Sequence, residues 1–212
     1  MSYERNNIKS ISKDLQKFVI NTPVLRFDII DSLCNCNVFF KCENFQHTGS
    51  FKYRAAINAI KKMPVEFKQT GVITHSSGNF AHALARAAYE LKIPCHIVMP
   101  NNTPNFKKSS VLSYTKNVIE CESNLKAREF TTSEILKNKN LYFIHPSNNM
   151  DVILGNSTCA LEFVNDYPNL DFIFSPIGGG GLIAGTSIAI NNFSENCQVI
   201  GAEPSNVDDL SL

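Results

Sequence analysis

Short apolar runs alternate with helical periods along this chain, and that alternation restricts the fold more than any other feature. Gly71–Thr74 (GVIT), Cys95–Met99 (CHIVM), Asp171–Ser175 (DFIFS) and Gln198–Ala202 (QVIGA) are brief runs rich in β-branched, aromatic and other apolar residues. Polar or glycine-rich residues follow the first three, and then stretches with a helical period, over Phe80–Leu91, Pro104–Ser113 and Leu182–Asn191. A strand that is apolar throughout, not at every second position, is buried on both faces. That is the situation of a parallel sheet covered by helices, and the predicted class is α/β. In such folds the functional groups collect at the carboxyl ends of the strands, in the strand-to-helix loops.

The remaining segments fit the same scheme. Ile8, Ile11, Leu15 and Phe18 lie at helical spacing, and Asn21-Thr22-Pro23 ends that period. Val24–Ile30, Asn37–Cys42, Asn117–Cys121 and Leu141–Ile144 are predicted strands, and Leu125–Lys137 and Val152–Asn165 predicted helices. With 212 residues the chain can form one large domain or two small ones. Its net charge of +1 gives no reason to expect nucleic acid or an anionic membrane as partner. No run of about 18 apolar residues is present, so no segment is expected to span a membrane, and the polar N-terminus does not read as a secretory signal. The seven cysteines are scattered and form no C-x-x-C pair, which points to free thiols in a reducing, cytoplasmic compartment and not to zinc.

Three loops stand out by composition: Gln46–Lys52, His75–Asn79 and Ile177–Gly181. In the first, Ser50 is a candidate N-cap for a helix over Tyr53–Lys62, which puts the Lys52 amine beside the N–H groups of a helix start. A lysine after a turn is more often a solvated surface residue, so the other two loops decide its weight. Ser76-Ser77-Gly78-Asn79 opens the next helix; it is either an N-cap cluster or a set of hydroxyl and amide groups aimed at a ligand. Gly178-Gly179-Gly180-Gly181 lies between a strand and a helix, where bare backbone can hold a phosphate. Gly179-x-Gly181-x-x-Ala184, with Glu203 after the next strand, also fits a short dinucleotide fingerprint, although that reading leaves Lys52 unexplained.

T-G-S-F-K-x-R (Thr48–Arg54), S-S-G-N (Ser76–Asn79) and G-G-G-G-L (Gly178–Leu182), in this order, resemble the motifs of fold type II pyridoxal-phosphate enzymes, most closely the serine racemase and serine/threonine dehydratase branch. Thr22–Leu25, Phe39–Asn44 and Gly201–Asn206 extend the resemblance over most of the chain. It implies a tryptophan-synthase-β-like α/β architecture with two parallel-type sheets and flanking helices. Residues 1–50 would begin a large cofactor domain, 51–147 would form a small domain with connecting segments, and 148–212 would return to the large one. It implies pyridoxal 5′-phosphate as cofactor, with Lys52 forming the Schiff base and Phe51 flanking it. Asn79 would bond the ring 3′ oxygen, and Gly178, Gly179, Gly180 and Gly181 would hold the phosphate. The substrate carboxylate would meet Ser76, Ser77, Gly78 and Asn79, with Ser77 on the face of Cα opposite the lysine. Glu203, Asp209 and the Val207 carbonyl would hold a divalent cation such as magnesium. The implied reaction is dehydration or racemisation of a small hydroxy amino acid.

The chain also departs from the family's pattern. Family chains continue well past the equivalent of Leu212, so the large domain is expected to be incomplete. A homodimer, or a partner chain supplying the remainder, would then complete it; otherwise the chain is a non-catalytic remnant. Ala55 stands where glycine usually follows the arginine, Phe80 where histidine commonly follows S-S-G-N, and Gly155-Asn156-Ser157-Thr158 where G-Q-G-T is usual.

Overall fold

The computed structural model describes residues 5–205. Eight helices and eight strands are described there: α1 (Arg5–Leu15), β1 (Val24–Arg26), α2 (Asp28–Cys34), β2 (Phe39–Lys41), α3 (Lys52–Lys62), β3 (Val72–His75), α4 (Asn79–Glu90), β4 (Cys95–Pro100), α5 (Asn105–Leu112), β5 (Asn117–Cys121), α6 (Leu125–Asn138), β6 (Tyr142–Phe143), α7 (Met150–Asp166), β7 (Phe172–Pro176), α8 (Gly181–Phe193) and β8 (Gln198–Ala202). Strands β5-β4-β3-β6 form a parallel sheet, with Val72 opposite both Cys95 and Tyr142. Strands β7 and β8 form a second parallel pair, and β1 and β2 an antiparallel ribbon. The two parallel sheets with flanking helices are those expected.

Alternate side chains of the four-stranded sheet serve two cores, as a period of two requires. Val72, Ile97 and Met99 pack toward α3, α4 and α7, whereas Ile73 and Val98 meet Leu141, Ile135 and Leu136 on the α6 side. Burying each such aliphatic side chain contributes about 1.5–3 kcal/mol, which is why these strands have no polar face. Behind the first core, α7 lies very close to α3. A Cβ on Gly155 would come within 2.6 Å of the Arg54 carbonyl oxygen and 2.8 Å of the Ala55 Cα.

One predicted element is corrected. Val24–Ile30 is not a single strand: β1 ends at Arg26, and Asp28–Cys34 turns into α2. Asp28 and Asp31 sit in its first turn, where a carboxylate favours the helix N-terminus, and Asn35 closes it in the left-handed conformation at φ 50°. Ile29, Ile30 and Leu33 have a helical spacing that the β-branched pair disguises. No described helix is long and apolar enough to cross a membrane.

Candidate active site

Three strands deliver their carboxyl-end loops to one place. The loop after β3 carries Ser76–Asn79, the segment after β6 carries residues 145–148, and the loop after β7 carries Ile177–Gly180. Lys52, the first residue of α3, reaches across to the second of these: its Nζ donates to the Pro146 carbonyl at 2.9 Å. The same nitrogen lies 5.2 Å from the Phe51 ring centroid and 5.7 Å from that of Phe80. Burial among these groups lowers the Lys52 pKa to about 8, because a charged ammonium loses hydration there that one carbonyl does not restore. The lysine is half-buried and a usable base near neutrality, not a solvated surface residue.

Ser50 does not cap α3. Its backbone is extended, its hydroxyl is buried with no hydrogen-bond partner, and Phe51, already helical in φ and ψ, precedes the first helical residue. The turn before it is strained, with Thr48 at φ 63° and its buried hydroxyl also unpartnered. Two buried orphan hydroxyls and a left-handed threonine just ahead of the lysine suit a ligand site better than a plain connecting turn. Ser76–Asn79 is no side-chain cap either. The Ser76 hydroxyl accepts from the Gly78 N–H at 3.3 Å, Gly78 stands at the cap position, and Asn79 opens α4 with an exposed side chain. Ser77 lines a polar cavity of about 300 Å³ together with Thr103, Lys107, Asn124 and Arg128.

The glycine run meets Lys52 through Ser147. A Cβ at position 179 would stand 2.5 Å from the Ser147 Oγ, and one at 181 would stand 3.1 Å from the Ser147 Cα. Positions 178 and 180 face open space, and Gly180 takes φ 77°. No side chain caps α8, so N–H groups of its first turn stay available to an anion. The segment 145–148 therefore touches the amine on one side and the glycines on the other.

Behind the lysine, Arg54 anchors the helix. Its guanidinium is fully buried and bidentate to two carboxylates, donating to Glu43 at 2.8 and 2.9 Å and to Glu162 at 2.7 Å through each terminal nitrogen. Burial alone would lower its pKa, but the two carboxylates more than offset that and raise it. Lys41 adds a second cation to Glu162 at 2.8 Å, and the Ile20 carbonyl accepts from Arg54 at 3.1 Å. This ties β2 and α7 to the first turn of α3. Sequence reasoning listed Arg54 only as a motif letter and passed over His145–Asn148; the strand-end rule would have found the latter as a fourth loop.

Glu203 follows β8 and is half-buried, while Val207 and Asp209 lie outside the described residues. Among the described residues no group of three or more His, Cys, Asp or Glu side chains could hold a metal ion.

These parts bring a half-buried amine, a run of bare glycine backbone and an uncapped helix start close together. The chain belongs to the pyridoxal-phosphate dependent enzyme family, whose model matches residues 15–211. It is 40% identical over 203 residues to a serine racemase of Dictyostelium discoideum, covering 96% of this chain and 63% of that protein. To a beta-hydroxyaspartate dehydratase of Paracoccus denitrificans it is 40% identical over 195 residues, covering 92% of this chain and 62% of that one. The crystal structure of the Dictyostelium serine racemase superposes with a TM-score of 0.93 at 39% identity, over 99% of this chain and 68% of the solved one. The chain thus spans somewhat less than two thirds of the length of these curated relatives. Membership of this family takes the place of the dinucleotide reading. The residues fit pyridoxal phosphate: an amine of lowered basicity, orphan hydroxyls beside it, and a glycine cradle in which a Cβ at 179 would strike Ser147.

Proposed function

We propose that this chain holds pyridoxal phosphate on Lys52 and acts on a small hydroxy amino acid of the serine or threonine type, eliminating its β-hydroxyl as water, with water then taken up again as ammonia is released from the keto acid, or inverting Cα. The observation that carries the reading is the Lys52 amine itself, half-buried between Phe51 and Phe80, near pKa 8 and hydrogen-bonded to a single carbonyl. When bound, the cofactor supplies an electron-withdrawing ring that makes the Cα proton of an attached amino acid acidic. Lys52, released by the incoming amine, takes that proton as general base. Departure of a β-hydroxyl then gives the dehydrated product, whereas a proton returned by the Ser77 hydroxyl on the opposite face inverts the centre. Asn79 orients the ring through its 3′ oxygen, Ser76 and Gly78 with Ser77 and Asn79 receive the substrate carboxylate, Phe51 flanks the ring, and Gly178–Gly181 hold the phosphate.

The same reading brings a divalent cation to Glu203, Val207 and Asp209, and a working division into residues 1–50, 51–147 and 148–212. The seven free thiols support a reducing, cytoplasmic setting. Binding without turnover by the chain alone is a second reading. It is favoured by the outward face of β7, where Phe172 is 50% and Phe174 68% exposed; a second copy or a partner chain covering that face would supply what turnover needs. Pyridoxal phosphate added to the purified protein is expected to give a visible absorption band that borohydride abolishes, fixing the cofactor's mass on the Lys52 peptide. Folded protein with no such band sinks the proposal. Keto-acid release from serine or threonine, or appearance of the D-enantiomer, then separates turnover from binding.

A further inference from the structure

Two of the five histidines meet beside the lysine, and neither has a place in the chemistry above. The rings of His75 and His145 stand edge to face with centroids 5.5 Å apart. His145 follows β6, and its Nδ1 accepts two backbone N–H bonds, from Ser147 at 3.2 Å and from Asn148 at 2.8 Å. Pro146, which has no N–H of its own, is held between them with its carbonyl directed at Lys52. Ser147, the next residue, is the one against which the glycine run packs. One imidazole lone pair thus fixes the segment that touches both the amine and the phosphate cradle. Only a neutral ring carrying its proton on Nε2 offers that lone pair.

Among the described residues, charged and titratable groups face this ring from three elements. His75 comes from β3, Lys52 from α3 and Glu129 from α6, with Arg128 beside His75. The Phe143 ring lies 6.1 Å away edge-on, and the Ser147 Oγ lies 3.5 Å from Nδ1. Burial holds the pKa of His145 below the ordinary histidine value; Glu129 opposes that shift, and the Lys52 charge adds to it.

We propose that His145 is a positioning residue for Lys52: its neutral ring closes the 146–148 turn that locates the amine and the glycine run, and protonation of the ring opens that turn. This rests on the reading of Lys52 as the cofactor's anchor. A protonated Nδ1 becomes a donor, so the Ser147 and Asn148 N–H groups lose their acceptor and the Pro146 carbonyl is no longer held toward the amine. For a histidine whose folded value is lowered, the contribution is present above the ordinary titration and lost as pH falls through the folded value. The cofactor grip is therefore strongest where His145 is neutral and weakens in mild acid.

The test is amide hydrogen exchange of Ser147 and Asn148 in the chain without cofactor, corrected for intrinsic rates, between about pH 5 and 8, where histidine titrates. Wild-type protection of these two amides is expected to fall about tenfold as the His145 ring, followed by NMR, takes up its proton, the worth of about one hydrogen bond. His145→Asn, whose Oδ1 accepts at any pH, keeps the protection across the range, and His145→Ala lacks it throughout. Pyridoxal phosphate affinity is expected to follow the same ranking at acid pH. Protection that ignores the ring's titration overturns the proposal, as does an asparagine variant that behaves like the alanine one. If a variant fails to fold, the wild-type profile decides alone. Absence of any cofactor uptake near pH 8 with this profile intact would instead refute the proposed function and leave the turn's switch standing.

Discussion

Strands β3 and β7 carry nearly the same local signal and reach opposite fates. Val72–His75 is buried at every residue, lies between β4 and β6, and ends in the Ser76–Asn79 loop. Phe172–Pro176 is buried at alternate residues, pairs among the described residues with β8 alone, and ends in the glycine run. An apolar run tells that a strand will form; it does not tell how many neighbours the strand will find. Consequently the lysine side of the site rests on a strand buried at every residue, and the glycine run on one with alternate residues exposed. Both halves are joined at Ser147.

Four substitutions sharpen or break this contrast. The largest effect is expected from Lys52→Ala: complete loss of the borohydride-sensitive band in a chain that still melts cooperatively. In the wild type, the rate of cofactor capture should rise with pH through about 8, where the amine gives up its proton. The folded value is lowered, so the cost of burying the ammonium is felt below that pH and relieved as pH rises toward 10.5, the unperturbed value. A capture rate that keeps climbing steeply up to pH 10, as for an amine with the unperturbed value of 10.5, would contradict the burial of Lys52.

Next comes Arg54→Ala. It leaves the half-buried carboxylates of Glu43 and Glu162 beside a cavity, with Lys41 still paired to Glu162, and urea unfolding should show a loss of about 3–5 kcal/mol. A loss under about 1 kcal/mol would mean that the network is as weakly coupled as a surface pair. Gly179→Ala forces a Cβ toward the Ser147 Oγ 2.5 Å away and should cost about 1–3 kcal/mol along with cofactor affinity. Undiminished binding by Gly179→Ala would place the cradle elsewhere. The smallest effect belongs to Phe174→Ser on the open face, within about 0.5 kcal/mol for the chain alone. A larger loss would show that the face is covered in solution.

Most of the fold was legible because its strands are apolar throughout and its turns are polar. Asn117–Cys121 and Gln198–Ala202 match β5 and β8 residue for residue, and α6 exceeds its predicted span by one residue. Two local readings failed for local reasons. The Asp28–Cys34 helix hides behind consecutive isoleucines, and the Ser50 hydroxyl makes no hydrogen bond to the helix it was expected to cap. The site was legible only in part. Lys52, Ser77 and the glycines announce themselves through unusual composition. The groups that hold them do not, because those contacts join residues far apart in sequence, 94 positions for Lys52 and Pro146 and 108 for Arg54 and Glu162. No window along the chain contains both partners.

The acceptor that faces the Lys52 amine belongs to the main chain of Pro146. A side-chain acceptor vanishes with one base change in a gene; a peptide carbonyl stays whatever side chain is encoded. Point mutation can displace that oxygen by altering the segment's pitch, but removing it takes a deletion. Drift and directed evolution alike will therefore find the amine's environment easier to shift by small degrees than to abolish. Inherited variation at this position is expected to tune the lysine's basicity and seldom to silence it.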